Sequence, residues 1–196
     1  MADFADIKSP YTLGHSTGVA TLAAAAARRC DLPDDDAVAI RRAGLLHDIG
    51  RVGVSAGIWG KPGLLTSREW EQVRLHPYHT ERILARPTAL ARLGALAALH
   101  HERLDGSGYH RAAPAAILSP SARILAAADA YRAMTDLRPH RPARSGEQAA
   151  AELRREAHAG RLDAGRKELT YALLDTAKVR NECCVKVRSE LVQSVK

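Results

Sequence analysis

The sequence predicts an all-α protein, on three observations. Apolar residues make up 46% of the 196 positions while aromatics contribute only 4%. The core must therefore be built from Leu, Ala and Val, a mixture that favours helices over sheets. Apolar positions recur at helical spacing, most clearly from Thr12 to Cys30. Residues that start and stop helices fall between these segments at intervals suited to a bundle of short helices.

The elements follow in order. The helix that begins near Thr12 ends near the Leu32–Pro33 step, where proline disfavours continuation. Asp34, Asp35 and Asp36 open a second helix, their charge matching the positive end of its dipole. It runs to about Ile49, where Gly50 stops it. The stretch from Gly50 to Leu65 is rich in Gly and Pro and reads as a loop. Ser67 opens a third helix, which Pro77 interrupts or restarts at His76. Thr88 to His101 reads as a helix with a His-His pair at its end. Asp105 to Pro114 is rich in turn residues, Ser119 to about Asp136 is a long helix containing Asp129, Arg138 to Ser145 is a Pro/Arg loop, and Ser145 to His158 is a polar helix. From Arg166 to Lys196 the Ala/Arg bias gives way to Lys, Cys, Asn and Val, and the apolar stripe thins, so this segment is expected to be a peripheral helix or tail.

Length and composition suit one domain with a buried core. No apolar run approaches the roughly 20 residues that span a bilayer, and Met1 to Lys8 are polar and acidic, unlike a signal peptide. Cys30, Cys183 and Cys184 make no disulfide framework. A cytoplasmic location with no membrane partner is therefore expected. The net charge of +7 is compatible with a nucleic-acid partner, an anionic small ligand or no specific partner, the last being the commonest meaning of an Arg-rich composition. A nucleic-acid partner ranks last, because no basic stretch is interleaved with aromatics.

The chemistry concentrates in seven side chains: His15, the His47–Asp48 doublet, His76, the His100–His101 doublet and Asp129. Imidazoles with a few carboxylates are what Zn, Fe or Mn sites are made of. A doublet on a helix offers ligands on adjacent flanks. Leu45 and Leu46 are expected to face inward and so deliver His47 and Asp48 at the buried end of their helix. Helix ends brought together this way would hold two cations sharing one carboxylate, an arrangement that can clamp both the attacking and the leaving oxygen of a phosphate ester. His79, His110, His140 and His158 are left outside the set.

These residues also carry a family resemblance. Leu45-Leu46-His47-Asp48-Ile49-Gly50-Arg51 resembles the metal motif of the HD superfamily. His100-His101-Glu102-Arg103-Leu104-Asp105-Gly106-Ser107-Gly108-Tyr109-His110 resembles the HHExxDGxGYP signature of the HD-GYP subfamily of cyclic di-GMP phosphodiesterases. Lys61 to Thr66, Leu75-His76-Pro77 and Ala128 to Thr135 are similar to its other blocks, so the likeness runs over roughly residues 10 to 163. It implies an HD-type helical bundle of about five to seven helices over residues 1–165, followed by the atypical segment 166–196. It implies one metal held by His15, His47, Asp48 and Asp129, and a second held by His76, His100 and His101, with Asp48 as the bridge. Iron or manganese is the family's usual choice, and the residue types also permit zinc. The implied reaction is attack of an activated water on cyclic di-GMP, giving pGpG or GMP, with Asp48 and Arg51 in the catalytic group. Lys61, Tyr109, Arg138 and Arg141 are the implied substrate contacts. An arginine fork suits phosphate oxygens or a guanine edge.

Three departures from the family pattern stand out. His110 replaces the proline of Gly-Tyr-Pro, which would loosen the loop that presents Tyr109. Arg51 replaces the usual lysine and keeps the charge without a titratable proton. Tyr11 stands where trinuclear members carry Glu, which points to two metals rather than three. Two further functions remain open on the same residues: hydrolysis of another nucleotide, and a non-catalytic nucleotide sensor or docking module. A homodimer or a regulatory protein would be the expected partner.

Overall fold

The computed structural model describes residues 2–139, 141–163 and 173–174. Among them the chain is helical, and its only extended pairing is a bridge between Arg138 and Arg141. The helices are α1 (Ala2–Asp6), α2 (His15–Arg29), α3 (Asp34–Leu46), α4 (Ala56–Trp59), α5 (Ser67–Arg74), α6 (His76–Leu84), α7 (Thr88–Ala97), α8 (Pro120–Thr135) and α9 (Gly146–His158). Short 3-10 turns cover Pro10–Thr12, Ile49–Gly53 and Ala115–Ile117. With the brief α1 and α4 set aside, the longer helices agree with the bundle read from the sequence.

The helix boundaries differ from those expected, and each difference has a local cause. The first motif helix begins at His15 rather than Thr12, because Gly14 adopts a left-handed conformation (φ 75°) that only glycine takes readily. The second ends at Leu46 rather than near Ile49. The chain tightens there into the 3-10 turn, with the Arg51 amide donating to the Asp48 carbonyl at 2.9 Å. The fourth motif helix ends at Ala97, short of His101. Both doublets therefore lie just past a helix end, not on a helix. The loop expected from Gly50 to Leu65 contains the 3-10 turn and α4. Leu45 is only half-buried.

Capping explains where α5, α8 and α9 start. The Thr66 and Ser145 hydroxyls accept the third amides of α5 and α9, while Glu69 and Gln148 reach back to the cap amides. Ser119 caps α8, with Pro120 in its first turn. A buried Asp6 caps α2 from outside, accepting from the Ser16 amide at 3.0 Å and from its hydroxyl at 2.6 Å.

α2 packs on α3 and α8, α3 on α7, α6 on α7 and the 49–53 turn, and α9 on α8. Val19, Leu22, Ile40, Leu84, Ile124, Leu125 and Leu153 are fully buried at the centre, among many alanines. The expected tail falls largely outside the described residues; Leu173 and Leu174 are buried against this core. No helix of the described residues is long and apolar enough to cross a membrane.

Two glycines let backbones meet beside the metal-type residues. A Cβ on Gly44 would stand 2.7 Å from Ala20 Cα, so α2 and α3 touch there. A Cβ on Gly50 would stand 2.0 Å from the His76 carbonyl oxygen, so the turn after His47–Asp48 lies directly on the start of α6. Thr80 fastens that contact: its hydroxyl accepts from the Gly50 amide at 3.0 Å and donates to the His47 carbonyl at 2.7 Å. Gly44→Val should force α2 and α3 apart and destabilise the fold by about 1–3 kcal/mol, read as a lower denaturant midpoint. An unchanged midpoint would show that the crossing can relax.

Candidate metal centre

All seven metal-type residues converge. His15, His47, Asp48, His76 and His100 are 1% exposed or less and Asp129 is 4% exposed, with His101 at the rim. His15, His47 and Asp129 form one group whose ligand atoms lie within 4.8 Å of each other, and His76, His100 and His101 form another. Asp48 lies between them. Its Oδ2 is 3.3 Å from His47 Nε2 and 3.8 Å from His15 Nε2, while its Oδ1 is 3.4 Å from His76 Nε2 and 3.8 Å from His100 Nε2. One carboxylate thus offers one oxygen to each group. A third group, His47, Asp48 and His100, joins the two.

Helix ends aim the rings. His47 Nδ1 is 2.7 Å from the Gly44 carbonyl, His76 Nδ1 is 2.6 Å from that of Val73, and His100 Nδ1 is 2.7 Å from that of Ala97. These carbonyls belong to the last turns of α3, α5 and α7, where backbone oxygens lack helical partners. A carbonyl only accepts, so each Nδ1 carries a proton and each Nε2 is turned toward the centre. His15 does the same through a carboxylate, with Nδ1 2.7 Å from Asp136 Oδ2. Asp136 is in turn paired with Arg132 at 2.8 Å.

Electrostatics complete the ligand character. Burial, then the neighbouring His47 and His76, lowers His100 to about 3. Burial and His100 likewise hold His101 well below its ordinary value. Burial disfavours the ionised carboxylates, yet Arg51 and His47 beside Asp48, and His15 and His47 beside Asp129, keep both acids well below their usual range. Burial also disfavours a charged His47, but Asp48 and Asp129 outweigh it and push the ring up to about 10. His47 Nε2 and both Asp48 oxygens are buried without a hydrogen-bond partner among the described residues. The two orphaned Asp48 oxygens, facing inward with ionised Asp129 and the neutral rings of His100 and His101, fit divalent cations, and His47 would join them by giving up its proton as the ion takes that proton's place.

A cleft of about 270 Å³ opens onto this cluster. His76, His101 and Asp129 lie in its wall, along with the four expected substrate contacts Lys61, Tyr109, Arg138 and Arg141. The four are not equivalent. Lys61 Nζ is bonded to both Glu69 oxygens, at 3.0 and 2.7 Å. Arg141 donates to the carbonyls of Ala133 and Met134 at the end of α8, so its guanidinium holds the loop onto the helix. The Arg138 backbone pairs with Arg141, while its guanidinium makes no hydrogen bond among the described residues. Burial, then Arg51, lowers it from its ordinary value, against the opposing pull of Asp136, Asp48 and Asp129. Tyr109 stacks on His101 with centroids 4.6 Å apart. Burial, then the charge of Asp129, raises its phenol, which therefore remains a donor.

Arg51 has its Nε 3.0 Å from Asp48 Oδ2, an ionic contact that lacks hydrogen-bond alignment. The loop around position 110 is anchored independently of a proline. The buried Glu102 accepts the Arg111 and Ala113 amides, each at 2.8 Å, and the Tyr109 amide donates to the His101 carbonyl at 3.2 Å. His79 lies outside the cluster beside Tyr78. Tyr11 lines the cleft.

Sequence reasoning missed Asp136, Thr80, Glu102 and Trp59. Asp136 carried a usable signal, since it stands seven residues after Asp129, just past the end of α8, where a histidine's second nitrogen would seek an acid. Glu102 lay inside a quoted motif without a role assigned to it.

The titrations give a pH window for the metal-free protein. His100 accepts a proton near 6.5 when unfolded but only near 3 when folded, so its stabilising contribution is lost as pH falls below 6.5. His47 titrates near 10 when folded, so its contribution is full below pH 6.5 and is lost progressively as pH rises from there to about 10. The melting temperature should therefore be highest near pH 6.5 and fall on either side. A midpoint that climbs on acidification from 6.5 would contradict these ring states.

Comparison with known proteins places this geometry in a family. The HD-domain family profile matches residues 1–165. A 3'3'-cGAMP-specific phosphodiesterase of Vibrio cholerae is 42% identical over 153 residues, which cover 78% of this chain and 33% of the relative. A cyclic di-GMP phosphodiesterase of Pseudomonas aeruginosa is 40% identical over 148 residues, 75% of this chain and 35% of the relative. The chain thus spans about a third of the length of these curated relatives. The crystal structure of the HD domain of the L. monocytogenes phosphodiesterase PgpH with cyclic-di-AMP superposes with a TM-score of 0.63 at 16% identity, covering 89% of this chain and 92% of that one. At that identity the likeness establishes the fold. The chain belongs to the HD-domain family, and its motifs and relatives are those of the HD-GYP type.

Proposed function

We propose that this domain is a metal-dependent phosphodiesterase that opens cyclic dinucleotides, with cyclic di-GMP as the substrate and pGpG or GMP as the product. The observation that carries this reading is the Asp48 carboxylate, one oxygen toward His15 and His47 and the other toward His76 and His100. His15, His47, Asp48 and Asp129 would hold one divalent cation, and Asp48, His76, His100 and His101 the other, iron or manganese by the family's habit. Bound there, such cations supply Lewis-acid charge to phosphoryl oxygens and ionise a water near neutral pH.

The chain's own groups do the rest. Arg51 fixes a positive charge beside Asp48, where charge accumulates on a phosphate under attack. It cannot deliver a proton near neutral pH, so the leaving oxygen takes its proton from water in the cleft. Arg138, half-buried and with no hydrogen bond from its guanidinium among the described residues, is the arginine free to grip the substrate phosphate or a guanine edge. Tyr109 offers a phenol donor held in place by His101. Lys61 and Arg141 shape the cleft wall through the bonds that occupy them. Relatives carry names for both cyclic di-GMP and 3'3'-cGAMP hydrolysis, which makes the choice between these two substrates the first matter to test.

The deciding experiment restores Fe, Mn or Zn to the purified protein and follows cyclic di-GMP and 3'3'-cGAMP by chromatography. Linear product from cyclic di-GMP supports the proposal. Bound metal with no turnover of either would favour a nucleotide-sensing module instead. Asp48→Ala should abolish turnover and empty the site of metal in elemental analysis, because it removes the carboxylate common to both groups. Arg138→Ala should raise KM about tenfold to a hundredfold, the worth of a charge-assisted hydrogen bond, with metal content unchanged. An unaltered KM would remove Arg138 from the substrate.

A further inference from the structure

Trp59 has no place in the reading so far, yet it touches two residues that do. It ends α4, a four-residue helix capped by the Ser55 hydroxyl and closed by Gly60. The Arg51 guanidinium carbon lies 4.4 Å from the centre of its ring. The same indole meets His76 at 5.6 Å with rings nearly perpendicular. Trp59 also lines the cleft.

Arg51 needs something to hold it. It is buried at 8% exposure, and its Nε approaches Asp48 without the alignment of a hydrogen bond. An arginine side chain has several freely turning bonds, and Coulomb attraction alone has little directional preference. A flat π face beneath the guanidinium supplies direction, because the cation is drawn to the ring centre and its plane can lie on the ring.

The choice of side chain argues the same way. The Trp59 indole nitrogen is buried with no partner among the described residues, which is a cost that leucine or phenylalanine would avoid at the same position. Tryptophan offers the best π face of the aromatic residues. The stranded N–H is therefore explained if the face is what the site requires.

We propose that Trp59 is the positioning residue for Arg51, holding the guanidinium over Asp48 so that its charge stays at the phosphate end of the cleft. This rests on the phosphodiesterase reading and adds to it a requirement specific to arginine at position 51. A lysine there, with its compact and strongly hydrated ammonium, would depend far less on the ring.

A double-mutant cycle tests this. Trp59→Leu should lower kcat about tenfold, Trp59→Phe should fall between it and the parent, and KM and bound metal should change little. In an Arg51→Lys background, Trp59→Leu should cost less than about threefold. Equal losses in both backgrounds would mean that Trp59 merely fills space and would overturn the proposal, as would Phe and Leu behaving alike.

The pairing can also be read without turnover. With Trp70→Phe as the parent, Trp59 is the only indole in the chain, and its fluorescence reports its neighbours. Arg51→Ala should shift that emission, and the effects of Arg51→Ala and Trp59→Leu on the denaturant midpoint should be non-additive. Additive midpoints with unmoved emission would sink the pairing even if the enzyme is active. A shifted emission with non-additive midpoints, in a protein that hydrolyses no cyclic dinucleotide, would leave the pairing standing and reject only the phosphodiesterase reading.

Discussion

The centre depends on one recurring interaction, an imidazole Nδ1–H donated to the last turn of a helix. α3, α5 and α7 each end with a carbonyl three residues before a histidine. That oxygen lies beyond the regular helical ladder, and the imidazole proton donates to it. The same bond fixes the tautomer and points the second nitrogen inward. A helix end that would otherwise need solvent or a capping glycine becomes a mount for a metal-type ligand. The negative end of the helix dipole also favours a basic ring in that position.

This device explains which parts of the architecture the sequence disclosed. The convergence of the motif residues and the helical class were legible because doublets and caps stand in the sequence as residue types at fixed spacing. The helix ends were not. Periodicity carries on past Leu46 and past Ala97, and nothing local announces that His47 and His100 turn back onto their own helices. The 3-10 turn at Ile49–Gly53 was equally hidden, because what dictates it is the approach of α6 to Gly50, a contact between distant segments. Lys61 and Arg141 were read as substrate contacts from matching positions. Their partners, Glu69 and the carbonyls ending α8, emerge only when the chain is folded.

The cleft's cations therefore divide their labour. Arg141 and Lys61 are spent on shape. Arg51 and Arg138 bring charge close to Asp48 and Asp129, at the cost of lying near each other, a repulsion felt in the lowered Arg138. Trp59 lies against the Arg51 guanidinium, and Glu102 anchors the loop that follows Tyr109. Substitution at position 110 is consequently less disruptive than the loss of a proline suggests, since the loop's amides already end on a carboxylate.

His15 opens α2 and Asp129 lies in α8, 114 residues further on, yet their side chains meet at 3.1 Å. A contact across that much sequence closes a very large loop, and its entropic cost falls on folding itself. An ion seated between them would act as a cross-link joining the beginning and the end of the bundle, much as a metal clip ties a chain whose ends would otherwise part. Chelation would then do more than silence chemistry: it would remove one long-range tie between α2 and α8 and leave them held by the His15–Asp136 contact and by the packing of the two helices.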